Sequence, residues 1–428
     1  MIKKILFFGV IFCMALSGSF EVWGKAAAPV TINFTYWASA SAEDAAFDSL
    51  VAKFQKKYPN IIVNKQGGPF KDYYTKLETR IAGNDAPDVT RIQYQQIGRY
   101  ASNGVLLNIT NKLGKDYSKD FNPALWNAVS YKNAAYAIPH HTDTLAVFYN
   151  KTYFDQLGIK APDKLENAWT WDEFLAIARR LKKENKAQYG FAVNWIYGNA
   201  YRWLPFLYQK GGAVLSPNLK KCVINSPEAL DALKMTASFF KEGLVPAGTS
   251  VKGTENLNML FATGVTGMLI SGNWVIPYFE QNMTNYSYGV TYMPRGKAMA
   301  SDLGGNALAV LKKSKHPQEA LTFIKFMTEE ENMKEFVEKG MFLPVRNSLS
   351  ADKMSYAIKP DLMRLFVNQA KTIPNHMAQT ISQPSMTKIN KVLTDELDLV
   401  FTQGKDEKEA LKEMQTQIDK ILKEKNWD

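Results

Sequence analysis

Short runs of β-branched and aromatic residues alternate along the chain with longer segments whose apolar residues recur at helical spacing. Residues 32–37 alternate in polarity and predict a strand, and residues 47–58 predict a helix. The same succession returns as a strand at 61–63, a helix at 73–82 and a strand at 88–92. Strands that alternate with helices of about ten or more residues are typical of a mainly parallel sheet with helices on both faces. We therefore expect an α/β fold.

The pattern continues through the second half, and roughly the last hundred residues are almost entirely of the helical type. Residues 144–150 predict a strand, and residues 171–183 predict a helix. Thr170 stands directly before that helix and Glu173 three positions later, which is the spacing of a capping box. A further helix is predicted over 227–241, where proline occupies the first helical position. More than one α/β unit is therefore expected.

Length and composition describe a folded protein of more than one domain. At about 150 residues per domain, 428 residues correspond to two or three domains. Hydrophobic residues make up 46% and charged residues 22%, which excludes a disordered chain. The net charge is +11, but the basic residues are dispersed along the sequence. We therefore expect no nucleic-acid partner.

The first 24 residues have the order of a secretory signal. Lys3 and Lys4 precede an apolar-rich run over 5–16, and small residues follow it. Such a run is shorter than the roughly 20 residues of a membrane-spanning helix, so we expect a signal peptide over 1–24, cleaved between about 24 and 28. The bulky Phe12 before Cys13 argues against a lipid anchor. The mature protein is then periplasmic or extracellular, and Cys222 is its single thiol.

Several stretches carry a family resemblance in their order and spacing, and together they extend over most of the mature chain. In chain order they are residues 86–89, 137–139, 144–151, 169–174, 267–274, 304–305, 314–320 and 340–346. With them, the sequence resembles the extracellular solute-binding proteins of carbohydrate ABC transporters, the family that includes maltose-binding protein.

This resemblance implies the two-lobed periplasmic-binding-protein fold, an α/β fold in which each lobe is a mainly parallel sheet flanked by helices. The lobes are joined by a hinge that the chain crosses several times, with expected crossings at 140–141, 302–305 and 344–347. Lobe I is expected to comprise 29–140 plus 305–346, and lobe II 141–303 plus 348–428. The implied function is capture of a saccharide by hinge closure and its delivery to ABC permease subunits. We expect a monomer that is not an enzyme.

A sugar offers hydroxyls at its ring edge and apolar C–H patches on its faces, so a binding cleft needs polar side chains and aromatic rings. Trp274 follows a strand and matches a stacking position of the family, with core packing as the alternative. Asp143 follows the first crossing, where the family places an acidic residue, with a turn cap as the alternative. Of the dense aromatic and polar loop over 195–203, about two residues are expected to touch ligand. The predicted ligand-binding residues are Trp37, Glu43, Gln93, Tyr94, Asp143, Trp195, Tyr197, Tyr201, Trp203, Trp274, Gly304 and Gly305.

Some features narrow the ligand and others leave alternatives open. Where maltose-binding relatives carry Trp, Asp and Arg, this chain has Gln93, Tyr94 and Gln95, which argues against a maltodextrin. The four histidines lack metal-ligand spacing, so no metal or cofactor is expected. Four arginines, at positions 91, 99, 202 and 295, leave open a charged sugar or a sugar phosphate. An exported glycoside hydrolase with Asp143 and Glu43 as its carboxylates is the alternative from another class.

Overall fold

Two separate sheets organise the chain, and a computed structural model describes them over residues 28–38 and 41–424. The predicted signal peptide, its cleavage region up to residue 27 and Cys13 lie outside the described residues. In chain order the strands are β1 (Val30–Trp37), β2 (Ile61–Gly68), β3 (Val89–Gln93), β4 (Ser130–Tyr131), β5 (Ala134–Ala135), β6 (Ile138–His141), β7 (Leu145–Asn150), β8 (Tyr189–Val193), β9 (Thr266–Gly272), β10 (Tyr288–Thr291) and β11 (Asn306–Val310).

The helices cover the two sheets and form most of the C-terminal region. In chain order they are α1 (Ser41–Lys57), α2 (Tyr73–Ala82), α3 (Tyr94–Ser102), α4 (Pro123–Ala128), α5 (Lys151–Leu157), α6 (Trp171–Lys183), α7 (Leu204–Gln209), α8 (Pro227–Lys241), α9 (Leu257–Ala262), α10 (Ile276–Asn282), α11 (Pro317–Met327), α12 (Glu330–Gly340), α13 (Pro360–Ala370), α14 (Asn375–Ile381), α15 (Met386–Gln403) and α16 (Glu407–Lys423). None of the helices in the described part is long and apolar enough to span a membrane.

Local sequence signals explain where several of these elements begin. The Thr170 hydroxyl accepts from the Glu173 amide, and the Glu173 carboxylate accepts from the Thr170 amide, so the predicted capping box is confirmed. Ser226 caps α8 by accepting from the Ala229 amide, and Pro227 occupies the first turn. The predicted helix over 73–82 is confirmed to the residue. Helix α1 begins six residues before the predicted start at 47, because alanines extend it in the N-terminal direction.

The predicted two-lobed α/β fold is confirmed, but the sheets are mixed and not mainly parallel. The first sheet has the order β2-β1-β3-β11-β6, in which β1 runs parallel to β2 and β3 while β11 runs antiparallel to β3 and β6. The second has the order β10-β7-β9-β8, with only β8 and β9 parallel. The prediction was wrong here because β6, β7 and β11 adjoin the segments that join the sheets, and no crossover helix sets their direction.

The segments that join the two sheets run side by side and bond to each other. The Thr142 amide donates to the Leu343 carbonyl and the Leu343 amide to the Thr142 carbonyl, both at 2.9 Å. The Gly304 amide donates to the Asp143 carbonyl at 3.2 Å, and the Thr142 hydroxyl to the Gly304 carbonyl at 3.0 Å. A change in a few backbone torsions of such short segments is enough to rotate one unit relative to the other. The segments therefore have the form of a hinge.

Candidate functional site

A cavity of about 430 Å³ lies between the two sheets, beside the joining segments. The carboxyl ends of β1 and β3, the turn after β9 and the joining segments all contribute side chains to it. Open α/β sheets bind ligands at such strand ends. Eight of the predicted ligand-binding residues line this cavity: Trp37, Glu43, Gln93, Asp143, Tyr201, Trp274, Gly304 and Gly305.

On the side of the first sheet, the cavity is floored by a buried ion pair. Arg91 Nη1 lies 2.5 Å from Glu43 Oε1 and also donates to the Trp37 carbonyl at 2.5 Å. Arg91 Nη2 lies 2.8 Å from His141 Nε2, and the guanidinium carbon is 4.5 Å from the Trp37 ring centroid. These contacts fix the orientation of the Glu43 carboxylate and of the indole, so both reach the cavity in one conformation.

The two adjacent histidines beneath this ion pair are fully buried. His141 Nε2 faces Arg91, while the His140 ring packs 4.1 Å from the Phe336 centroid. Burial lowers the pKa of both rings well below the usual value, and the positive charge of Arg91 adds to the shift. Both are therefore neutral at physiological pH, and the expected absence of a metal role for them remains a prediction.

On the side of the second sheet, Arg202 and Trp274 form a stacked pair. The guanidinium carbon lies 4.9 Å from the Trp274 ring centroid and 5.5 Å from that of Tyr201. Arg202 also donates to Oδ1 of Asn194 at 3.1 Å and lies 3.4 Å from the Asp302 carboxylate. The indole of Trp274 lies over Gly272, where a β-carbon would come within 1.8 Å of the ring. Gly272 therefore gives the indole room, and Arg202 holds it in place.

Asp143 stands between the two sides, on the segment that leaves β6. Burial, followed by the negative charge of Asp302, raises the pKa of Asp143 to about 7, against the opposing effect of Arg202 and Arg91. Burial also raises the pKa of Asp302 to about 6, although Arg202 and the Leu145 amide favour its charged form. The Asp143 carboxyl group is thus able to accept or to donate a hydrogen bond near neutral pH.

Four predicted ligand-binding residues are not brought to the cavity. Trp195 and Trp203 are fully buried, and their indole N–H groups donate to the Thr249 carbonyl and the Thr236 hydroxyl at 2.9 and 3.0 Å. They pack into the core of the second unit, because the loop after β8 turns inwards at once. Tyr94 is also buried, with its hydroxyl bonded to the His141 carbonyl at 3.1 Å.

Tyr197 also lies away from the cavity, but it faces solvent and is not buried in the core. It has a φ of 58° and is 64% exposed, and its hydroxyl donates to the Thr254 carbonyl at 3.2 Å. The neighbouring Gly198 carbonyl accepts from Asn390 and Thr394 of α15, so the helix holds this turn away from the cavity. The sequence of this loop does not reveal such a turn. Tyr201 and Arg202 are the two residues of the loop over 195–203 that line the cavity.

Other cavity residues were not predicted, and Phe70 is the clearest of them. It lines the cavity together with Asn306, Met341 and Phe342. Phe70 lies just beyond the carboxyl end of β2, which ends at Gly68 and runs parallel to β1, with Pro69 between them. That position was the available signal, because parallel strands end at one edge of a sheet.

Comparison with known proteins agrees with this architecture. The family model of bacterial extracellular solute-binding proteins matches residues 38–334. The multiple sugar-binding protein of Streptococcus mutans is 25% identical over 320 residues, which are 72% of this chain and 73% of that protein. The galactooligosaccharide-binding protein of Bacillus subtilis is 26% identical over 375 residues, 84% of this chain and 83% of that protein.

Solved structures show the same fold over almost the whole chain. An ABC substrate-binding protein of Listeria monocytogenes in complex with cycloalternan has a TM-score of 0.75 and 25% identity, covering 92% of this chain and 98% of that one. A cyclic α-maltosyl-1,6-maltose binding protein of Arthrobacter globiformis has a TM-score of 0.78 at 20% identity, covering 92% and 99%. The match of the family model to more than half of the chain, on a two-lobed fold with a cavity between the lobes, shows that this chain belongs to the bacterial extracellular solute-binding protein family.

Proposed function

We propose that this protein captures a neutral oligosaccharide outside the cytoplasmic membrane by closure of its two lobes and delivers it to an ABC permease. The observation that carries the proposal is the cavity between the sheets, whose wall combines aromatic rings with polar groups that are held in fixed orientations. Such a wall matches the apolar faces and hydroxyl edges of a sugar. The relatives are named as a multiple sugar-binding protein and a galactooligosaccharide-binding protein, and these names support a saccharide ligand.

Closure follows from the placement of polar and aromatic groups on both lobes. Glu43 and Trp37 come from the first lobe, whereas Trp274 and Arg202 come from the second. An open form can satisfy only half of these contacts, so the ligand binds the closed form more tightly and shifts the population towards it. The closed form is then the one that the permease receives.

The proposed lobe division is 29–140 plus 305–346 for lobe I, and 141–303 plus 348–428 for lobe II. The presence of β11 in the first sheet and of β7 to β10 in the second supports it. Two features qualify the C-terminal boundary. Ser348 still bonds to Asp120 at 2.8 Å, and Asn375 of α14 accepts from Asn127 of α4 at 2.7 Å. Part of the C-terminal region therefore rests on lobe I.

The charges of the cavity favour a neutral ligand over an anionic one. Arg91 is paired with Glu43, and Arg202 lies beside Asp302, so each cation already has a carboxylate partner. An anionic ligand would have to compete with these partners in a poorly solvated site. The two other arginines that left open a charged sugar lie elsewhere, Arg99 beside Glu78 and Arg295 against the Ala168 carbonyl.

A glycoside hydrolase is the second candidate, because Asp143 is a carboxyl group in a cleft with a pKa of about 7. Such a pKa is typical of a general acid. The second carboxylate of that hypothesis, Glu43, is however held by Arg91 on the floor of the cavity. We expect the protein to release no reducing sugar from the oligosaccharides that it binds, and to act as a monomer after removal of its signal peptide.

A thermal-shift screen followed by calorimetry tests the proposal directly. The mature protein is mixed with neutral mono- and oligosaccharides, with uronic acid saccharides and with sugar phosphates, at low and high salt. At 100 times the dissociation constant, a ligand adds about 2.7 kcal/mol to the free energy of unfolding. We expect salt-insensitive stabilisation by a neutral oligosaccharide. Stabilisation by the charged compounds alone, lost at high salt, would contradict the neutral assignment.

A further inference from the structure

A second cavity adjoins the central one and shares lining residues with it. This outer cavity of about 280 Å³ is also lined by Met386, Thr387 and Asn390 near the start of α15, which do not line the central cavity. The residues that line both cavities are Phe70, Gln93, Gln95, Tyr201 and Arg202. The two cavities therefore meet at these shared residues, which we call the junction, and we call the two cavities together the groove.

Phe70 presents an apolar surface at this junction. Its ring packs 5.3 Å from the Trp37 centroid at an interplanar angle of 55°, and 6.2 Å from the Tyr74 centroid at 85°. These contacts fix the ring, yet 46% of the residue is exposed, whereas Trp37 is 4% exposed. An aromatic ring that is fixed and still exposed inside a groove offers area to bury without further loss of side-chain entropy.

Gln95 adds a hydrogen-bond acceptor at the same junction. Its amide nitrogen donates to the Leu303 carbonyl at 3.4 Å, which directs the amide. Its Oε1 is buried and has no hydrogen-bond partner among the residues that the structure describes. A buried acceptor without a donor is unfavourable, and a ligand hydroxyl in the groove is a donor of the required kind.

Among the described residues, the outer cavity offers no unpaired charge to an ionic ligand, because its one charged lining residue already has a partner. Arg202 is its cation, and it lies beside Asp302 and Asn194. Asn390 is occupied as well, because it accepts from the Tyr201 amide and donates to the Gly198 carbonyl, both at 2.8 Å. What is left facing the groove is amide and aromatic surface, which matches a neutral ring bearing hydroxyls.

We propose that Phe70 and Gln95 bind a sugar ring at this junction, so that the ligand spans both cavities and Phe70 sets the preference for chain length. The ring face lies on Phe70, and a hydroxyl donates to Gln95 Oε1. We expect a monosaccharide to occupy the central cavity beside Trp274, and a chain of two or more units to extend over this junction into the outer cavity. This inference rests on the proposed function and adds to it a preference for saccharides of two or more units.

Calorimetric titration with saccharides of one to four units tests the inference. The probes are malto-, galacto- and arabino-saccharides, and the proteins are the wild type, Phe70→Ala, Phe70→Trp and Gln95→Leu. For a series that binds, we expect Phe70→Ala to weaken the trisaccharide about tenfold and the monosaccharide less than twofold. Gln95→Leu should weaken the trisaccharide in the same way, and Phe70→Trp should keep its affinity. Tyr197→Ala is the matched control, since it removes an exposed aromatic ring outside both cavities.

The possible failures separate the two proposals. If Phe70→Ala weakens all chain lengths equally, or none of them, the junction assignment is wrong while saccharide capture stands. If the wild type binds no neutral saccharide, in these three series or in the wider screen, the proposed function fails and this inference fails with it. Unchanged unfolding temperatures of the variants exclude a loss of fold as the cause.

Discussion

The carboxyl group of Asp143 lies directly over the α-carbon of Gly304, so close that a β-carbon on Gly304 would be 1.7 Å from Oδ1. The Gly304 amide also donates to the Asp143 carbonyl at 3.2 Å. Real β-carbons do not approach an oxygen at such a distance, so either residue must move if Gly304 acquires a side chain. This contact links the cavity wall to the hinge, because the two residues lie on different joining segments.

Replacing Gly304 by alanine should therefore weaken saccharide binding about tenfold or more, because Asp143 is pushed out of its position in the cavity. The measurement is calorimetric titration with the best neutral saccharide of the screen. The loss should shrink in an Asp143→Ala background, where the clash is gone, and this coupling distinguishes the contact from a general effect. Gly114→Ala is the control, since nothing lies within 4 Å of a β-carbon there.

Asp143 and Asp302 should make the folded state less stable as the pH rises from about 4 to 7. Their pKa values are raised to about 7 and about 6, mainly by burial, whereas an unfolded chain has values near 3.9. In this window the folded protein binds more protons than the unfolded chain, so the free energy of unfolding falls as protons are lost.

Asp143→Asn removes one of these ionisations. The stability of the variant relative to the wild type should therefore increase as the pH rises from 5 to 8. We expect a gain of about 1–2 kcal/mol, since one pKa unit corresponds to about 1.4 kcal/mol and solvent at the cavity reduces the effect. Unfolding midpoints in denaturant at several pH values measure it. A gain that is the same at pH 5 and pH 8 would show that the carboxyl group is not the cause.

Glu335 supplies a matched comparison of opposite sign. Burial acts to raise its pKa, but hydrogen bonds from Lys339, Lys53 and Ser49 outweigh it and lower the pKa to about 2. Its ionised form stabilises the fold above the unfolded value near 4.3, and that contribution is lost as the pH falls towards 2. Glu335→Gln should therefore be less stable than the wild type at neutral pH, with the difference disappearing in acid.

Trp274→Ala should lower the affinity for a bound saccharide by about 10- to 100-fold, because it removes an aromatic surface and frees Arg202. Trp274→Phe keeps a ring over Gly272 and should lose less. Trp126→Ala serves as the control, since this half-buried indole packs against Phe121 and Tyr117, away from the cavity. Calorimetry on the three variants decides between a binding role and core packing, and an unchanged affinity of Trp274→Ala would remove it from the site.

Much of the fold could be predicted because helices, strands and helix caps depend on residues that are close together in the sequence. The helix over 73–82 and the capping box at Thr170 depend on residues within a few positions of each other, and both are confirmed. Strand direction is different, since it depends on partners far away in the chain. Strand β11 lies between β3 and β6 and runs antiparallel to both, and no periodicity of residues 306–310 reveals this.

In the site, too, residues marked by their own position in the sequence could be predicted, whereas residues whose burial depends on distant partners could not. The family resemblance indicated Trp274 and Asp143, each at a fixed place beside a strand or crossing, and both line the cavity. Trp195 and Trp203 could not be distinguished from cavity residues, because their burial depends on Thr249, Thr236 and the packing of α8 behind them. Phe70 was missed because the sequence predicts the second strand only over 61–63, so its position just beyond the carboxyl end of β2 was not recognised.

Gly98 lies in direct contact with the turn after α14, which belongs to lobe II in the proposed division. It lies inside α3 on lobe I, and a β-carbon there would be 2.0 Å from the Ser382 carbonyl oxygen and 2.7 Å from the Pro384 nitrogen. The turn that follows α14 thus packs on the backbone of α3. In an exposed helix, alanine is favoured over glycine by about 1 kcal/mol, so any loss on substitution reports this contact.

Gly98→Ala should hold the lobes apart and weaken saccharide binding, although alanine favours the helix itself. We expect a radius of gyration in X-ray scattering that decreases less on addition of saccharide than in the wild type, together with an affinity at least tenfold lower. Ser102→Ala, in the same helix, should change neither quantity. If Gly98→Ala instead binds with unchanged affinity and compacts fully, the contact between α3 and the turn at 382–384 adapts without affecting closure. A lower affinity with normal compaction would place the effect in the groove, whose outer cavity is lined by Met386, and not in the movement of the lobes.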